Sequence, residues 1–414
     1  MRRKVYNPMN MWEILKIEKT KSEAVVKSSF TKLRGTVPSD QVKLLTKANE
    51  FALRYVFIKD STDSFKEELL VEMAFERYCE QNTPKAAADP NANSGRNTGS
   101  LLFGSGLRSS LTSAAQPPRK KEWEDFWWEL QKTYDNFFSR REIANWEGVL
   151  QRSATWNADK ANLETLVLDF LQKNSNIPAD VFRLFDKTYQ WENRIFELAA
   201  SNKDFARCYL IATCPRWAPD YAFIKRDVSF DYEGYIKYRG LTREAALDND
   251  LDKTRENFDN AINIYPHEPR LYEITAEFYE SQPAFNKYGE FGPEYLHSLN
   301  KLIKFHFDDR KYLPLRAEYY KRCEYFEEAR EDYSQAMKIT PEDLSIPFEI
   351  AESYMLQELS SKAKSFLKHI KKVYQKTQTD LEKQWKSSPE QERITKLIDS
   401  NERIISAVYD QLNA

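Results

Sequence analysis

The stretch 311–343, KYLPLRAEYYKRCEYFEEAREDYSQAMKITPED, reads as two short helices joined by a tight turn. In the first, Leu313, Ala317 and Tyr320 recur at i, i+4 and i+7 and so share one helical face. In the second, Ala329, Tyr333 and Ala336 repeat that spacing. Small side chains at Ala317 and Ala329 let two backbones approach, and the ring of Tyr333 fills the next groove. Pro341 stops the second helix, because it has no N–H to donate and disfavours helix in the residue before it. A step of 34 residues carries Ala317 to Ala351, Tyr320 to Tyr354, Ala329 to Ala363, Tyr333 to Leu367 and Ala336 to Ile370. Each position keeps its character, so the pattern predicts a repeated helical hairpin.

This layout resembles the tetratricopeptide repeat (TPR), whose units are helix–turn–helix hairpins of this period. One hairpin cannot bury its own apolar face, and stacked neighbours bury it together. Going back from 311, Tyr238, Leu241, Phe258, Ala261 and Pro266 fit a frame beginning at 235, and Tyr272 lies one period after Tyr238. The repeat from 269 carries extra residues within QPAFNKYGEFGPEY, where Gly289, Gly292 and Pro293 suit a longer loop. Tyr295, Leu299 and Leu302 then resume the frame.

The resemblance also implies a concave groove lined by the first helix of each repeat. Its positions are Arg270, Glu273, Glu277 and Glu280, then Lys311, Glu318 and Lys321, then Phe348, Glu352 and Met355. The family's clamp for a C-terminal carboxylate is missing, since Gly240, Leu315 and Glu349 stand at corresponding positions. The implied groove is an acidic ladder with an apolar end, suited to a basic, partly apolar segment.

Residues 10–58 read as a separate small helical unit. Asn10 with Glu13, and Thr20 with Glu23, form capping boxes that open two helices. The second carries Val26, Phe30 and Leu33 on one face and ends at Gly35. After the loop Thr36-Val37-Pro38-Ser39-Asp40, a third helix buries Leu45, Ala48, Ala52 and Tyr55. Residues 61–80 read as a fourth helix with Phe65, Leu69, Met73 and Tyr78 inward.

The segments WEILKI, KSSFTKL and VKLLTKANEFAL resemble the first three helices of a J-domain, the module that stimulates DnaK-type chaperones. The resemblance implies a chaperone-docking surface on the basic second helix (Lys27, Lys32, Arg34) and its following loop (Val37, Pro38, Ser39). The family carries His-Pro-Asp in that loop. Here Val37 and Ser39 flank Pro38, and the first histidine in the chain is His267. A J-like fold without J-type ATPase stimulation is the expectation.

Composition changes abruptly at 82–121, which holds four of the ten glycines and many Ser, Asn, Ala and Pro residues. Such a segment buries too little apolar surface to offset its ordering entropy, so it is predicted to be a flexible linker with one apolar island at Leu101-Leu102-Phe103. Beyond it, Trp123, Phe126, Trp127, Leu130 and Tyr134 recur at helical spacing. A helix beginning near Pro178 carries Val181, Phe182, Phe185 and Tyr189. This Trp-rich stretch resembles the region that follows the J-domain in some bacterial J-domain proteins. At the far end, Ile394, Ile398, Ile405 and Val408 suit a polar capping helix.

Over the whole chain, 41% of residues are hydrophobic, 30% are charged and 14% are aromatic, which fits a helical protein with a packed interior. The net charge of −2 sets up no global basic field for nucleic acid. The one basic run, Lys362, Lys364, Lys368, Lys371, Lys372 and Lys376, reads as a solvated face, with a phosphate or RNA contact as the alternative. Cys79, Cys208, Cys214 and Cys323 are scattered, with no C-x-x-C pair, and suit free thiols in a reducing compartment. MRRKVYNPMN has no apolar segment after it, and no run reaches membrane-spanning length. Neither a phosphate-binding glycine loop nor a metal-ligand cluster nor a nucleophile elbow is visible.

The sequence therefore predicts an all-α, cytoplasmic, non-enzymatic protein without cofactor. Its expected parts are a degenerate J-like domain (1–80), a linker (82–121), a Trp-rich helical segment (122–192), TPR-like repeats in a right-handed solenoid (193–376) and capping helices (377–414). The expected role is an adaptor or co-chaperone-like protein that binds a protein client, with a DnaK-type chaperone as a further partner and no nucleic acid or membrane insertion. The rival readings are an active J-domain co-chaperone and an enzyme, such as a nuclease, without a visible motif.

Overall fold

The computed structural model describes residues 10–56, 58, 64–82, 121–154, 160–214, 217–219, 221–222, 224–225, 228–282 and 292–413. Among them the protein is all-α, with twenty α-helices, one short 3-10 turn and no strand. The predicted linker lies outside the described residues except at its ends, where one helix closes at Asn82 and the next opens at Lys121. The chain divides into two units, residues 1–283 and 284–414.

The first unit opens with α1 (Met11–Ile14), α2 (Glu23–Arg34), α3 (Ser39–Val56) and α4 (Ser64–Asn82). Asn10 caps α1 by accepting from the Glu13 N–H at 2.9 Å. The cap of α2 is Ser22 rather than Thr20; the Thr20 hydroxyl accepts from the Ser22 N–H and shapes the approach. These helices close over one core, with Trp12, Leu15, Val26, Leu45, Ala48, Phe51, Ala52, Tyr55 and Phe75 buried in it. On α4 the inward face is rotated from the predicted one. Leu70, Val71, Met73, Ala74, Phe75 and Cys79 are buried, whereas Phe65 is exposed at the helix start. Beside it Lys66 is buried and paired with Glu192 at 2.7 Å, so a cation takes the inward place at that end.

The Trp-rich region follows as α5 (Lys121–Asp135), α6 (Phe137–Arg141), α7 (Ile143–Ala154), α8 (Lys160–Lys173), α9 (Ala179–Tyr189), a 3-10 turn (Glu192–Arg194), α10 (Ile195–Ser201) and α11 (Lys203–Thr213). Pro178 stands at the N-cap of α9. A chain of ring contacts threads its core: Trp127 to Phe170, Phe170 to Trp146, Trp146 to Phe185, Phe185 to Trp191, then Trp191 to Phe205 and Tyr209. Centroid separations of 4.9–6.4 Å are those of edge-on and offset pairs. The fully buried Trp146 donates its indole N–H to the Arg140 carbonyl at 2.9 Å and Trp191 donates to Glu164 at 3.0 Å, whereas the Trp123 indole nitrogen is buried without a hydrogen-bond partner among the described residues. The rings are core.

Three further helices complete this unit: α12 (Tyr232–Leu247), α13 (Leu251–Ile264) and α14 (Pro269–Glu280). On α12 the buried face is Tyr235, Ile236, Arg239, Thr242 and Arg243, while Tyr238 and Leu241 are half-buried. Glu268 is fully buried at the start of α14. It accepts from the Tyr235 hydroxyl at 2.8 Å, from Arg239 at 3.0 Å and from the Arg270 N–H at 3.1 Å. Burial opposes the charge on Arg239, but the Glu268 carboxylate beside it keeps its pKa above the usual arginine value.

The second unit comprises α15 (Gly292–Lys304), α16 (Asp309–Arg322), α17 (Phe326–Ile339), α18 (Ser345–Leu356), α19 (Ser360–Trp385) and α20 (Gln391–Asn413). Leu313, Ala317, Ala329, Tyr333 and Ala336 form one core cluster with Ile346 and Ile350. Phe348, Ala351, Leu367 and Ile370 form a second with Leu344, Ile405 and Val408. The turns repeat as the side chains do. Glu324 and Glu358, 34 residues apart, both take left-handed backbone, with φ of 63° and 60°. After them Tyr325 donates its N–H to the Tyr320 carbonyl at 2.9 Å, and Leu359 to that of Tyr354 at 2.8 Å. These are paired Schellman ends carried by glutamate in a glycine-poor chain.

Two polar devices fix the hairpins. Arg316 grips Asp332 with two bonds of 2.7 Å between α16 and α17. The fully buried Asn401 side chain on α20 accepts from the Leu344 N–H at 3.0 Å and donates to the Glu342 carbonyl at 2.9 Å. All four cysteines are free; Cys79 and Cys214 are buried, and Cys208 and Cys323 half-buried. Among the described residues no helix is long and apolar enough to cross a membrane.

Candidate partner-binding surfaces

The N-terminal helices present two different faces. On α2, Val26 points into the core and Phe30 and Leu33 pack against it, which leaves Lys27, Lys32 and Arg34 exposed. Lys27 pairs with Glu23 one turn earlier, and the Arg34 guanidinium lies over the Phe30 ring at 5.9 Å. The loop after α2 is a compact turn, in which the Thr36 and Val37 N–H groups donate to the Leu33 carbonyl at 2.9 and 3.1 Å. Val37 is half-buried and packs on the core, while Pro38 and Ser39 are exposed. The position before the proline is thus used for packing, and neither flank of the proline carries an imidazole or a carboxylate.

The opposite face, built by α3 and α4, is fastened to α11 and α12 by polar contacts. Arg77 bonds Asp248 at 3.2 Å. Arg207 bonds Asp248 at 2.7 Å and Glu244 at 3.0 Å. Lys203 pairs with Glu76 at 2.6 Å, Arg54 donates to the Leu247 carbonyl at 2.9 Å, and Asn249 donates to Glu50 at 3.2 Å. Burial pushes the Glu244 carboxyl up, but Arg207, Arg243 and Arg77 outweigh it and hold the pKa below the carboxylate range. At Asp248 burial wins and the pKa is raised. Sequence reasoning missed this seam, because its members are far apart in the chain. Its one local signal is the four-residue spacing of Glu244 and Asp248, which places both carboxylates on one side of the end of α12.

The predicted groove residues fall in both units. On α14, Arg270 pairs with Glu273 at 2.5 Å; Glu273 is buried, and Glu277 and Glu280 are half-buried. In the second unit Lys311 is exposed, with its ammonium 4.8 Å from the Tyr312 ring centroid. Glu318 pairs with Arg322 at 3.3 Å. Lys321 lies between Glu349 and Glu352, bonding the first closely and the second at 3.1 Å. The Tyr333 hydroxyl approaches the same Glu349 carboxylate. Burial raises the pKa of Glu349 despite its lysine partner. The structure therefore brings Lys321, Glu349 and Glu352 together and neutralises much of the ladder internally. Phe348, 8% exposed, packs into the second core cluster, and Met355 is half-buried. Glu349, which sequence reasoning used only to exclude a carboxylate clamp, is a full member of this cluster.

The comparison with protein families bears on the Trp-rich region. No curated protein matches the chain. Residues 124–213 match the family model described as the DjlB/C second domain. That span begins within α5, ends with α11, and so includes the last two helices, which the sequence alone assigned to the start of the repeat stack. The family is DnaJ-related, and the match supports reading this chain as a J-like, co-chaperone-related protein.

Proposed function

We propose that this protein is a co-chaperone-like adaptor, with a J-like head, a central DjlB/C-type domain and a TPR-like array that holds a protein client. The observation that carries the reading is the family match over 124–213, which follows in the chain after N-terminal helices whose first three resemble a J-domain in sequence. The hairpins of the second unit, with their 34-residue recurrence of core positions and of left-handed helix ends, favour the TPR-like part. The client is a basic, partly apolar segment, drawn to Glu318 and Glu352 on helices α16 and α18 of the second unit.

A second reading, direct stimulation of a DnaK-type ATPase, is favoured by the open basic face of α2 and opposed by Val37 and Ser39. Affinity capture from the native host with mass spectrometry separates the two when run with a paired variant. Under the adaptor reading, Glu318→Lys with Glu352→Lys loses the client, while Lys27→Glu with Lys32→Glu keeps it. A client retained by the first pair and lost by the second overturns the groove assignment.

A further inference from the structure

The second unit carries two exposed stripes of opposite charge on helices that the repeat makes equivalent. On α19, Lys362, Lys364, Lys368, Lys371, Lys372 and Lys376 are all exposed. Among the described residues none of them forms an ion pair, although Lys321, Arg316, Arg322, Lys383, Arg393 and Lys396 in the same unit all do. Lys364, Lys368, Lys372 and Lys376 form a single i, i+4 row, and no acid interrupts 360–379. On α17 and its leading turn, Glu324, Glu327, Glu328 and Glu331 stand at i, i+3, i+4 and i+7, all exposed and likewise without an ion pair. A helix face can carry either sign for solubility; two unpaired, matched rows in one unit call for a further explanation.

We infer that these stripes are the two halves of a self-association surface, and that a second copy of this chain is the occupant. Two helices laid side by side share the same rise per residue, so a lysine row at i, i+4 meets a glutamate row of that spacing in register. Each copy offers both rows, so a two-fold arrangement makes the Lys–Glu contact twice. Apolar residues accompany the charges. Tyr325 is 57% exposed at the head of the acidic helix, and its repeat equivalent Leu359 is exposed at the head of the basic one, next to Leu356. Exposed apolar groups ringed by matched charge suit a protein surface. A nucleic-acid track wants bare rings along the cationic row, whereas Tyr354 and Tyr409 lie under Lys362 and Lys371 at 5.5 and 4.5 Å. An anionic membrane is disfavoured too, because Ala363, Leu367 and Ile370 of α19 are committed to the core and cannot insert.

Sedimentation velocity of the full chain over a concentration series, in low and in high salt, tests the proposal. The wild type associates in low salt and dissociates in high salt. Lys368→Glu with Lys372→Glu, and separately Glu327→Lys with Glu331→Lys, each weaken association about tenfold or more. The chain carrying all four reversals associates again, as does an equimolar mixture of the two paired variants. Lys368→Gln with Lys372→Gln gives a smaller loss, and an unchanged thermal melt shows that each variant is folded. A wild type that stays monomeric in low salt overturns the inference. So does association that neither reversal alters, and so does lysine-dependent retention of an oligouridine probe by a monomeric chain.

Discussion

The region that matches the DjlB/C second-domain model and the hairpins of the second unit are both helical, yet they hold themselves together by different means. In the first, large rings from nonequivalent helices touch in series, so that Phe170, Trp146, Phe185 and Trp191 belong to one continuous core. In the second, Ala317, Ala329, Ala351 and Ala363 sit where helices meet, and the apolar contacts fall into separate clusters. A continuous ring core is unforgiving, because one lost ring opens a cavity that its neighbours cannot fill. Smaller clusters localise damage, since a lost contact is felt by fewer neighbours.

The largest expected effect is therefore in the ring core. Trp191→Ala should lower stability by about 3–5 kcal/mol, measured by chemical denaturation. Next is the seam that fastens α4 to α11 and α12. Arg207→Ala leaves Glu244 and Asp248 with Arg77 as their remaining shared cation and should cost about 3 kcal/mol, the low end for a broken buried pair because Arg77 stays and Asp248 keeps some solvent. The seam also has a pH signature. The Glu244 pKa is depressed in the folded state, so its stabilisation is present above the ordinary carboxylate value of 4.5 and is lost as pH falls through the lower folded value. Glu244→Gln should thus destabilise the protein at neutral pH, and the difference from wild type should shrink in acid. A constant difference down to the acid transition would show that Glu244 is not held charged.

In the array the expected changes are smaller. Ala329→Leu or Ala363→Leu should overpack a helix contact and cost about 1–3 kcal/mol, read as a shift of the array's own transition. Full stability in both variants would mean that these alanines are not at helix contacts. The smallest effect has the opposite sign. Glu324→Gly and Glu358→Gly should each stabilise by roughly 0.5–1 kcal/mol, because a left-handed helix end suits glycine and strains a side chain. Thermal melts decide this, and a loss of stability would mean that the glutamate side chains do more than tolerate the turn.

How much was legible follows the same contrast. In the second unit the sequence period was legible as core positions, since Ala329 and Ala363 are both buried. The N-terminal core was legible on α3, where Leu45, Ala48, Ala52 and Tyr55 are all buried as spaced. On α4 the reading failed at Phe65, because its end is set by the Lys66–Glu192 pair, a contact 126 residues apart that no local pattern encodes. The Arg77–Glu244–Asp248–Arg207 seam was invisible for the same reason. At the candidate site, Lys321 was visible as a position, but its capture by Glu349 and Glu352 depends on how two hairpins stack.

The proposed adaptor role requires that Val37 and Ser39 leave the J-like head unable to stimulate a DnaK-type chaperone. Single-turnover ATP hydrolysis by the host's DnaK-type chaperones, with and without the full-length protein, tests that directly. The expected rate with the wild type is unchanged. A several-fold acceleration by the wild-type chain, abolished by Lys27→Glu with Lys32→Glu, would contradict it.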